Sequence, residues 1–384
     1  MRMRLLSRVF IFSLLVLQFS RMPSPANVRV SIFNGYSVSA LVISPDKGDF
    51  NVVADGRLLS RLEENDILYI SRKGDLLFVS GVSGSPGEFE KVAVYSSVPG
   101  NSFSIRPVRP SMEKVSYHGH LELSISYERI SIINEVDENL YLAGVVEAEA
   151  GTGARRMFYK AQSVICRTYL YGNLYRHAGE GFDLCDEVHC QVYHGRLTGN
   201  SGIAGAVEET GGLVMTGSEG ELVNALFHAN CGGETSGSGE VWLTARPYLR
   251  PVTDPWCRNR PGASWQVRID REKWIAWLAG MGYQSAAKAD FASRQTRREV
   301  YYRHGGFSIP YRKIRADWNF RSSFFDIEDP GGGRQLLIRG RGYGHGVGLC
   351  QEGAMEMAAR GHNFMEILQF YYTGITIIDV EKLF

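Results

Sequence analysis

The stretch Asn139-Leu-Tyr-Leu-Ala-Gly-Val-Val-Glu-Ala-Glu149 decides how this chain is read, together with Arg156-Met-Phe-Tyr-Lys-Ala-Gln-Ser-Val-Ile-Cys-Arg-Thr-Tyr169 behind it. Apolar residues dominate as far as Val146. Two carboxylates follow, Glu147 and Glu149, and then the glycine-bearing Gly151-Thr-Gly153. In the second run Phe158, Ala161, Val164, Ile165, Thr168 and Tyr169 recur at helical spacing, which predicts a helix with one face on a core. A carboxyl group where an apolar segment meets a glycine-rich opening is poorly solvated. Poor solvation disfavours the charged form and raises the pKa, as a general acid near neutral pH requires. The competing reading of either acid is a helix-terminal charge, because acids are favoured in a first helical turn.

Around this centre the chain has 384 residues, enough for a sizeable core and for more than one domain. Hydrophobic residues make up 44% and charged residues 22%, an ordinary globular balance. The formal net charge of +1 gives no broad electrostatic case for nucleic acid as a partner. At the N-terminus Arg2, Arg4 and Arg8 precede the apolar Val9 to Leu17. Residues 1–26 therefore read as a signal peptide or a signal anchor, with Ser24-Pro-Ala26 offering small residues at cleavage positions. The remainder is expected outside the cytoplasm, periplasmic, extracellular or membrane-anchored, with membrane contact only through that segment. Six cysteines, at 166, 185, 190, 231, 257 and 350, suit disulfides in such a compartment, but also buried thiols or metal ligands.

Residues 27–110 alternate in the β manner. Asn34-Gly35, Asp55-Gly56 and Lys73-Gly-Asp75 punctuate short strands as turns, so a small β-rich module is expected here. Pro107 and Pro110 read as a linker or bend. Tyr117-His-Gly-His-Leu-Glu reads as an edge strand and Ile130 to Val136 as another. His118 and His120 read as surface residues on one face of such a strand. The overall expectation is an α+β fold, with mixed β-sheets and several helices preceded by the N-terminal module.

Four further blocks carry chemistry. In Cys185-Asp-Glu-Val-His189-Cys190-Gln-Val-Tyr193-His194, two cysteines five positions apart, with His189 between and His177 upstream, can surround one ion. Zinc takes thiolate and imidazole ligands tetrahedrally, and a disulfide is the competing outcome in an oxidising compartment. His228-Ala-Asn-Cys231-Gly-Gly-Glu-Thr235 follows a predicted strand over Glu221 to Phe227. Its glycines allow close backbone approach to a ligand, and Thr235 can hydrogen-bond a sugar hydroxyl. Trp242 can stack on a sugar ring or pack in the core. Between about residues 255 and 335, a strand over Ser264 to Ile269 and a helix over Arg271 to Leu278 precede a polar run. That run bears Arg294, Arg297 and Arg298 and reads as a solvated face or a contact to an anionic polymer. Finally, Gly342-Tyr-Gly-His345-Gly-Val-Gly348-Leu-Cys350-Gln351 leads into a helix. It lacks the strand-loop-helix context and following acid of a nucleotide fingerprint, and reads as a thin wall along which a chain molecule can lie.

The ordered blocks Tyr-Leu-x-Gly-Val-Val-x-x-Glu, Lys160-Ala-Gln162, Arg167-Thr-Tyr169, Cys-Asp-x-x-His-Cys-Gln-x-Tyr, Phe-His-x-x-x-Gly-Gly-x-Thr and Gly-His-Gly-Val-Gly-x-x-Gln-x-Gly-Ala resemble the stage II sporulation protein D (SpoIID) and amidase-enhancer family. The resemblance runs from roughly Tyr117 to Thr376 and implies a shared domain over 111–384, with a divergent insert at about 255–335. It implies a peptidoglycan lytic transglycosylase, which cleaves the bond between N-acetylmuramic acid and N-acetylglucosamine of glycan strands and leaves 1,6-anhydro ends. Glu149 is implied as catalytic, with Arg167, Tyr169, His228, Thr235, His345 and Gln351 against substrate. Zinc is implied at Cys185 and Cys190, with His177 or His189 as third ligand. Where relatives often carry Pro, this chain has Glu147, a second anion expected to raise the Glu149 pKa further. Cys231 and Cys350 stand where relatives carry Ser. The family also implies a non-enzymatic alternative, a wall-binding partner that stimulates a cell-wall amidase. A third reading, a thiol hydrolase built on Cys350 and His345, rests on their spacing in one tight loop.

Overall fold

The computed structural model describes residues 27–383, except 82–85, 97, 243, 285–289, 305 and 330–332. The segment read as a signal peptide or anchor lies outside the described residues. Two large sheets form the N-terminal half. The first runs Val115–His118, Ser102–Arg109, Ala40–Lys47, Leu68–Lys73, Leu76–Ser80, Gly87–Phe89 in spatial order. The second has seven strands, Leu184–Cys185, Asn27–Ser31, Arg129–Asp137, His120–Ser126, Lys91–Tyr95, Phe50–Ala54 and Arg57–Leu62. The expected turns join strands as read: Asp55-Gly56 closes one hairpin and the residues after Lys73 another. Proline at 107 and 110 marks no linker. Pro107 lies inside the strand Ser102–Arg109, and the next strand, Val115–His118, pairs straight back onto it. Both sheets continue across residue 110, and one core runs from Val28 to Ile375.

Eight helices accompany the strands among the described residues: α1 (Glu138–Ala150), α2 (Arg156–Asn173), α3 (Ser201–Glu209), α4 (Ser238–Val241), α5 (Arg271–Gly280), α6 (Tyr311–Asp317), α7 (Gln351–Ala359) and α8 (Phe364–Tyr371). The fold is α+β. None of the described helices is long and apolar enough to cross a membrane.

Asp137 starts α1 by accepting from the amides of Asn139 and Leu140, the usual use of an aspartate at an N-cap. The run Tyr141 to Val146 is buried all round, which explains why it shows no amphipathic period. Gly144 is the reason it fits. A Cβ there would come within 2.2 Å of the Gly195 carbonyl oxygen and 2.8 Å of the Tyr193 ring, so only glycine lets the segment after Cys190 lie against α1. At α8, Asn363 and Glu366 form a capping box, a pattern legible in the sequence three residues apart.

Residues 264–341 build a second, smaller core. The strands Ser264–Asp270, Gln335–Arg341 and Phe325–Glu328 form an antiparallel sheet, and a core of Trp274 from α5, Tyr311 from α6, Phe325 from the sheet and Tyr302 from the hairpin strand Tyr301–His304 forms beside it. The predicted strand over Glu221 to Phe227 shrinks to Phe227–His228, which pairs in parallel with Leu349–Cys350 and so joins two distant blocks. Gly348 permits this pairing: its φ is +74°, and a Cβ would meet the Leu226 carbonyl oxygen at 2.0 Å.

Candidate active site

Glu149 lies in the last turn of α1, not in a first helical turn. The negative end of the helix dipole is there, so the helix disfavours a carboxylate instead of stabilising one. Burial raises its pKa above the usual range. Two influences work the other way, a hydrogen bond from the Val192 amide to Oε1 at 3.0 Å and the charge of His194. Glu147 is not a second anion at this site. It turns to the surface and accepts from the Thr198 amide at 2.9 Å and the Thr198 hydroxyl at 2.8 Å. The expectation that it raises the Glu149 pKa is corrected on that ground; burial is the main cause.

Polar side chains surround Glu149 in a connected set. Gln351, 8% exposed, donates to the Glu149 carbonyl oxygen at 3.1 Å and reaches Gln162 Oε1 at 3.5 Å. Gln162 in turn reaches Cys166 Sγ at 3.5 Å, and Gln191 donates to the Cys166 carbonyl at 3.2 Å. Burial pushes the Cys166 thiol up to about 12, so it stays protonated beside the acid. Gln351 is thus brought to Glu149 across 202 positions. Gln162, Cys166, Gln191, Val192 and His194 are members to which sequence reasoning gave no part in this site. The glutamine at 191, directly after Cys190, was the available signal for the last three.

Immediately before Val192 stands the sulfur-imidazole cluster. Cys190 Sγ lies 3.4 Å from His177 Nε2 and 3.6 Å from His189 Nδ1, and Cys185 Sγ lies 3.8 Å from His189 Nδ1. All four donor atoms fall within 4.8 Å of one another. His177 Nδ1 meets Glu180 Oε1 at 2.6 Å, which leaves Nε2 facing the sulfurs, the arrangement a metal-bound imidazole uses. The hydrogen bond with Cys185 holds the Cys190 thiol down at about 6. Two thiols and two imidazoles at this spacing fit a tetrahedral zinc ion. Both histidines face the two sulfurs, so all four side chains could serve as donors to one ion. A site closed in that way would be structural and would fix the loop whose Val192 amide holds Glu149.

The other expected substrate contacts fall elsewhere. Arg167 is 0% exposed and spends its guanidinium on Glu138 Oε1 (2.6 Å), the Thr210 carbonyl (2.6 Å) and Asn139 Oδ1 (3.0 Å). It ties α1 to α2 and α3 and has no free donor face for a sugar. Thr235, 2% exposed, accepts from the Val252 amide at 2.8 Å and holds a turn. Tyr169 donates to the His189 carbonyl at 3.3 Å and receives Arg176 at 2.9 Å, so it supports the cysteine loop. His228 is buried, with Nδ1 3.1 Å from the Val347 carbonyl; its Nε2 has no hydrogen-bond partner among the described residues.

His345 accepts from the Val347 amide at 3.1 Å, and burial pushes its imidazole down to about 4. With Trp242, 41% exposed at a ring distance of 5.2 Å, it lines an opening of ≈ 670 Å³ that also takes in Arg312 and Arg315 of the insert. Neither Glu149 nor Gln351 lines that opening. The pairing of His345 with Cys350 as a thiol dyad is corrected. Cys350 is 0% exposed and accepts the Cys231 amide at 3.2 Å, while His345 faces Trp242 and His228. The arginine-bearing run is no simple solvated face either: Arg298 is half-buried, with Nε on the Glu234 carbonyl at 2.6 Å and Nη2 on the Cys231 carbonyl at 2.6 Å.

Comparison with known proteins agrees with the blocks read from sequence. Residues 126–216, which span α1, α2, the cysteine loop and α3, match the family described as SpoIID, stage II sporulation protein. The chain is similar to stage II sporulation protein D of Bacillus amyloliquefaciens, 27% identical over 330 residues, covering 80% of this chain and 93% of that one. An uncharacterized protein of Brachyspira hyodysenteriae is 28% identical over 280 residues, 71% of this chain and 75% of its own. The amidase enhancer of Bacillus subtilis is 27% identical over 291 residues, 62% of this chain and 40% of that longer protein. The site just described is built from this SpoIID-matching segment and from α7.

Proposed function

We propose that this chain is an exported, cell-wall-facing lytic transglycosylase that cleaves the link from N-acetylmuramic acid to N-acetylglucosamine in peptidoglycan glycan strands. The observation that carries it is Glu149: a half-buried carboxyl with a raised pKa, held by the Val192 amide and by Gln351 on its own carbonyl. Such a group is protonated at a pH where a solvated carboxyl is not, and can donate. Protonation of the glycosidic oxygen lets the N-acetylglucosamine side leave with the bonding pair. The Glu149 carboxylate then takes the proton of the muramic acid C6 hydroxyl as that oxygen bonds to C1. The acid returns to its starting form and the product carries a 1,6-anhydro end. One carboxyl suffices because the second nucleophile is the sugar's own hydroxyl rather than water. A zinc ion at His177, Cys185, His189 and Cys190 would lock the loop that presents the Val192 amide. Glu149→Gln on purified glycan strands tests the reading; anhydro ends appearing at the unmutated rate would refute it.

The similarity to an amidase enhancer favours a second reading, a wall-binding protein that stimulates an amidase without cleaving glycan. That reading requires release of stem peptides to rise when the chain is mixed with a cell-wall amidase, and to rise equally with Glu149→Gln.

A further inference from the structure

A second set of sulfur ligands lies outside the groups that the proposed chemistry uses. Cys231, Asp254, Cys257 and Cys350 are each 0% exposed, and their donor atoms all lie within 4.8 Å of one another. Cys231 Sγ lies 3.3 Å from Cys257 Sγ and 3.2 Å from Asp254 Oδ2. We propose that these three cysteines and Asp254 bind a structural zinc ion, distinct from the one at the cysteine-histidine loop.

The geometry supports one tetrahedral ion. With Zn–S bonds of about 2.3 Å, the sulfurs of such a site stand about 3.8 Å apart. The 3.3 Å between Cys231 and Cys257 is close to that edge, and the set reaches no further than 4.8 Å, too compact for thiolates spread around a multi-iron cluster. Three thiolates and one carboxylate are a donor set that borderline-soft zinc accepts.

The surroundings are those of a built site. Asp254 Oδ2 receives the Tyr371 hydroxyl at 3.0 Å, and Oδ1 receives the Trp256 amide at 2.8 Å, so the carboxylate is oriented from outside. Cys350 Sγ accepts the Cys231 amide at 3.2 Å. A Cβ at Gly353 would strike Asp254 Oδ2 at 2.4 Å and the Tyr371 hydroxyl at 2.3 Å, so α7 can approach the carboxylate only with glycine there. Three ionised sulfurs and a carboxylate carry more negative charge than one zinc cancels. The buried guanidinium of Arg298, hydrogen-bonded to the Cys231 carbonyl, supplies a further positive charge beside them.

What the ion would do follows from which segments it joins. Cys231 follows the short strand Phe227–His228, Cys257 opens the approach to the insert, and Cys350 is the N-cap of α7. One ion would tie these distant segments at a point, and α7 begins with Gln351, the residue hydrogen-bonded to the Glu149 carbonyl. A disulfide between Cys231 and Cys257 would use two of the three sulfurs and leave no role for the convergence of Cys350 and Asp254 on them.

The test is metal content and thiol state of the purified full chain, with zinc alone supplied. Wild type should hold about two zinc ions per chain, and Cys185→Ser/Cys190→Ser about one. Cobalt substituted into that double variant should give a thiolate-to-metal charge-transfer band of three-thiolate intensity. Adding Cys257→Ser to the double variant should abolish both the remaining zinc and the band. A Cys185→Ser/Cys190→Ser protein that is folded and free of zinc would overturn the proposal, whether peptide mapping without reductant shows a Cys231–Cys257 disulfide or three free thiols. Because the measured variant keeps Glu149, loss of the second zinc and loss of glycan cleavage are separate outcomes.

Discussion

Burial acts on Glu149 and on His345 with opposite results for their use. At the end of α1, loss of solvent raises a carboxyl and keeps its proton available. In the glycine-bearing loop, the same loss of solvent pushes an imidazole down to about 4, so it is neutral and has no acid proton to give at neutral pH. The first region comes from the SpoIID segment and α7. The second opens between that late loop and the insert, with Trp242 and two arginines on its wall. On the proposed reading, the difference assigns proton chemistry to the first region alone and leaves the second, with its tryptophan and arginines, for contact with a glycan chain.

Four experiments bear on that division. The largest contrast should come from rate: Glu149→Gln is expected to slow anhydro-end formation by about 10²–10⁴-fold, whereas His345→Gln should leave the chemical step within about tenfold. Equal losses in both would erase the distinction. Next, Arg167→Ala should cost about 3–5 kcal/mol of stability, because it leaves Glu138 buried without its partner. Urea unfolding measures this, and Arg167→Ala unfolding at the wild-type midpoint would mean that α1 is held by other contacts.

Acid stability sharpens the His345 half. Its folded pKa of about 4 lies below its unfolded value of 6.5, so the unfolded chain binds the proton first as pH falls. Stability from this group is complete above about pH 6.5 and is lost progressively toward pH 4, by on the order of 3 kcal/mol at most. His345→Gln should flatten that part of the stability–pH curve. His228, whose pKa is also lowered by burial, contributes in the same direction and will leave some slope. The smallest effect should be Trp242→Ala, with KM for glycan strands raised by about 1 kcal/mol and kcat little changed. A kcat loss matching that of Glu149→Gln would place Trp242 in the chemistry instead.

Much of the arrangement was legible in the residues. Turn pairs such as Asp55-Gly56, the helical period of Phe158 to Tyr169 and the Asn363–Glu366 cap are local signals, decided by backbone sterics and neighbours a turn away. The cysteine block was legible as a cluster because its four sulfur and imidazole donors lie within fourteen positions of sequence. The direction of α1 was not legible. Its six central buried residues carry no amphipathic stripe, so nothing local showed that Glu149 ends a helix instead of opening one. Arg167 and Thr235 were misread because a polar side chain in a strong motif looks the same whether it faces a ligand or a buried carbonyl.

By itself the sequence determined the α+β class and the order of strands and helices along most of the chain, and it pointed to Glu149 as a poorly solvated acid. Only the tertiary structure decided that Glu147 faces Thr198, that Gln351 meets Glu149, and that Cys231, Cys257 and Cys350 converge on Asp254. The physical reason is range. Backbone preference acts over a few residues, whereas desolvation, which sets the protonation of these groups, depends on which distant segments pack over them.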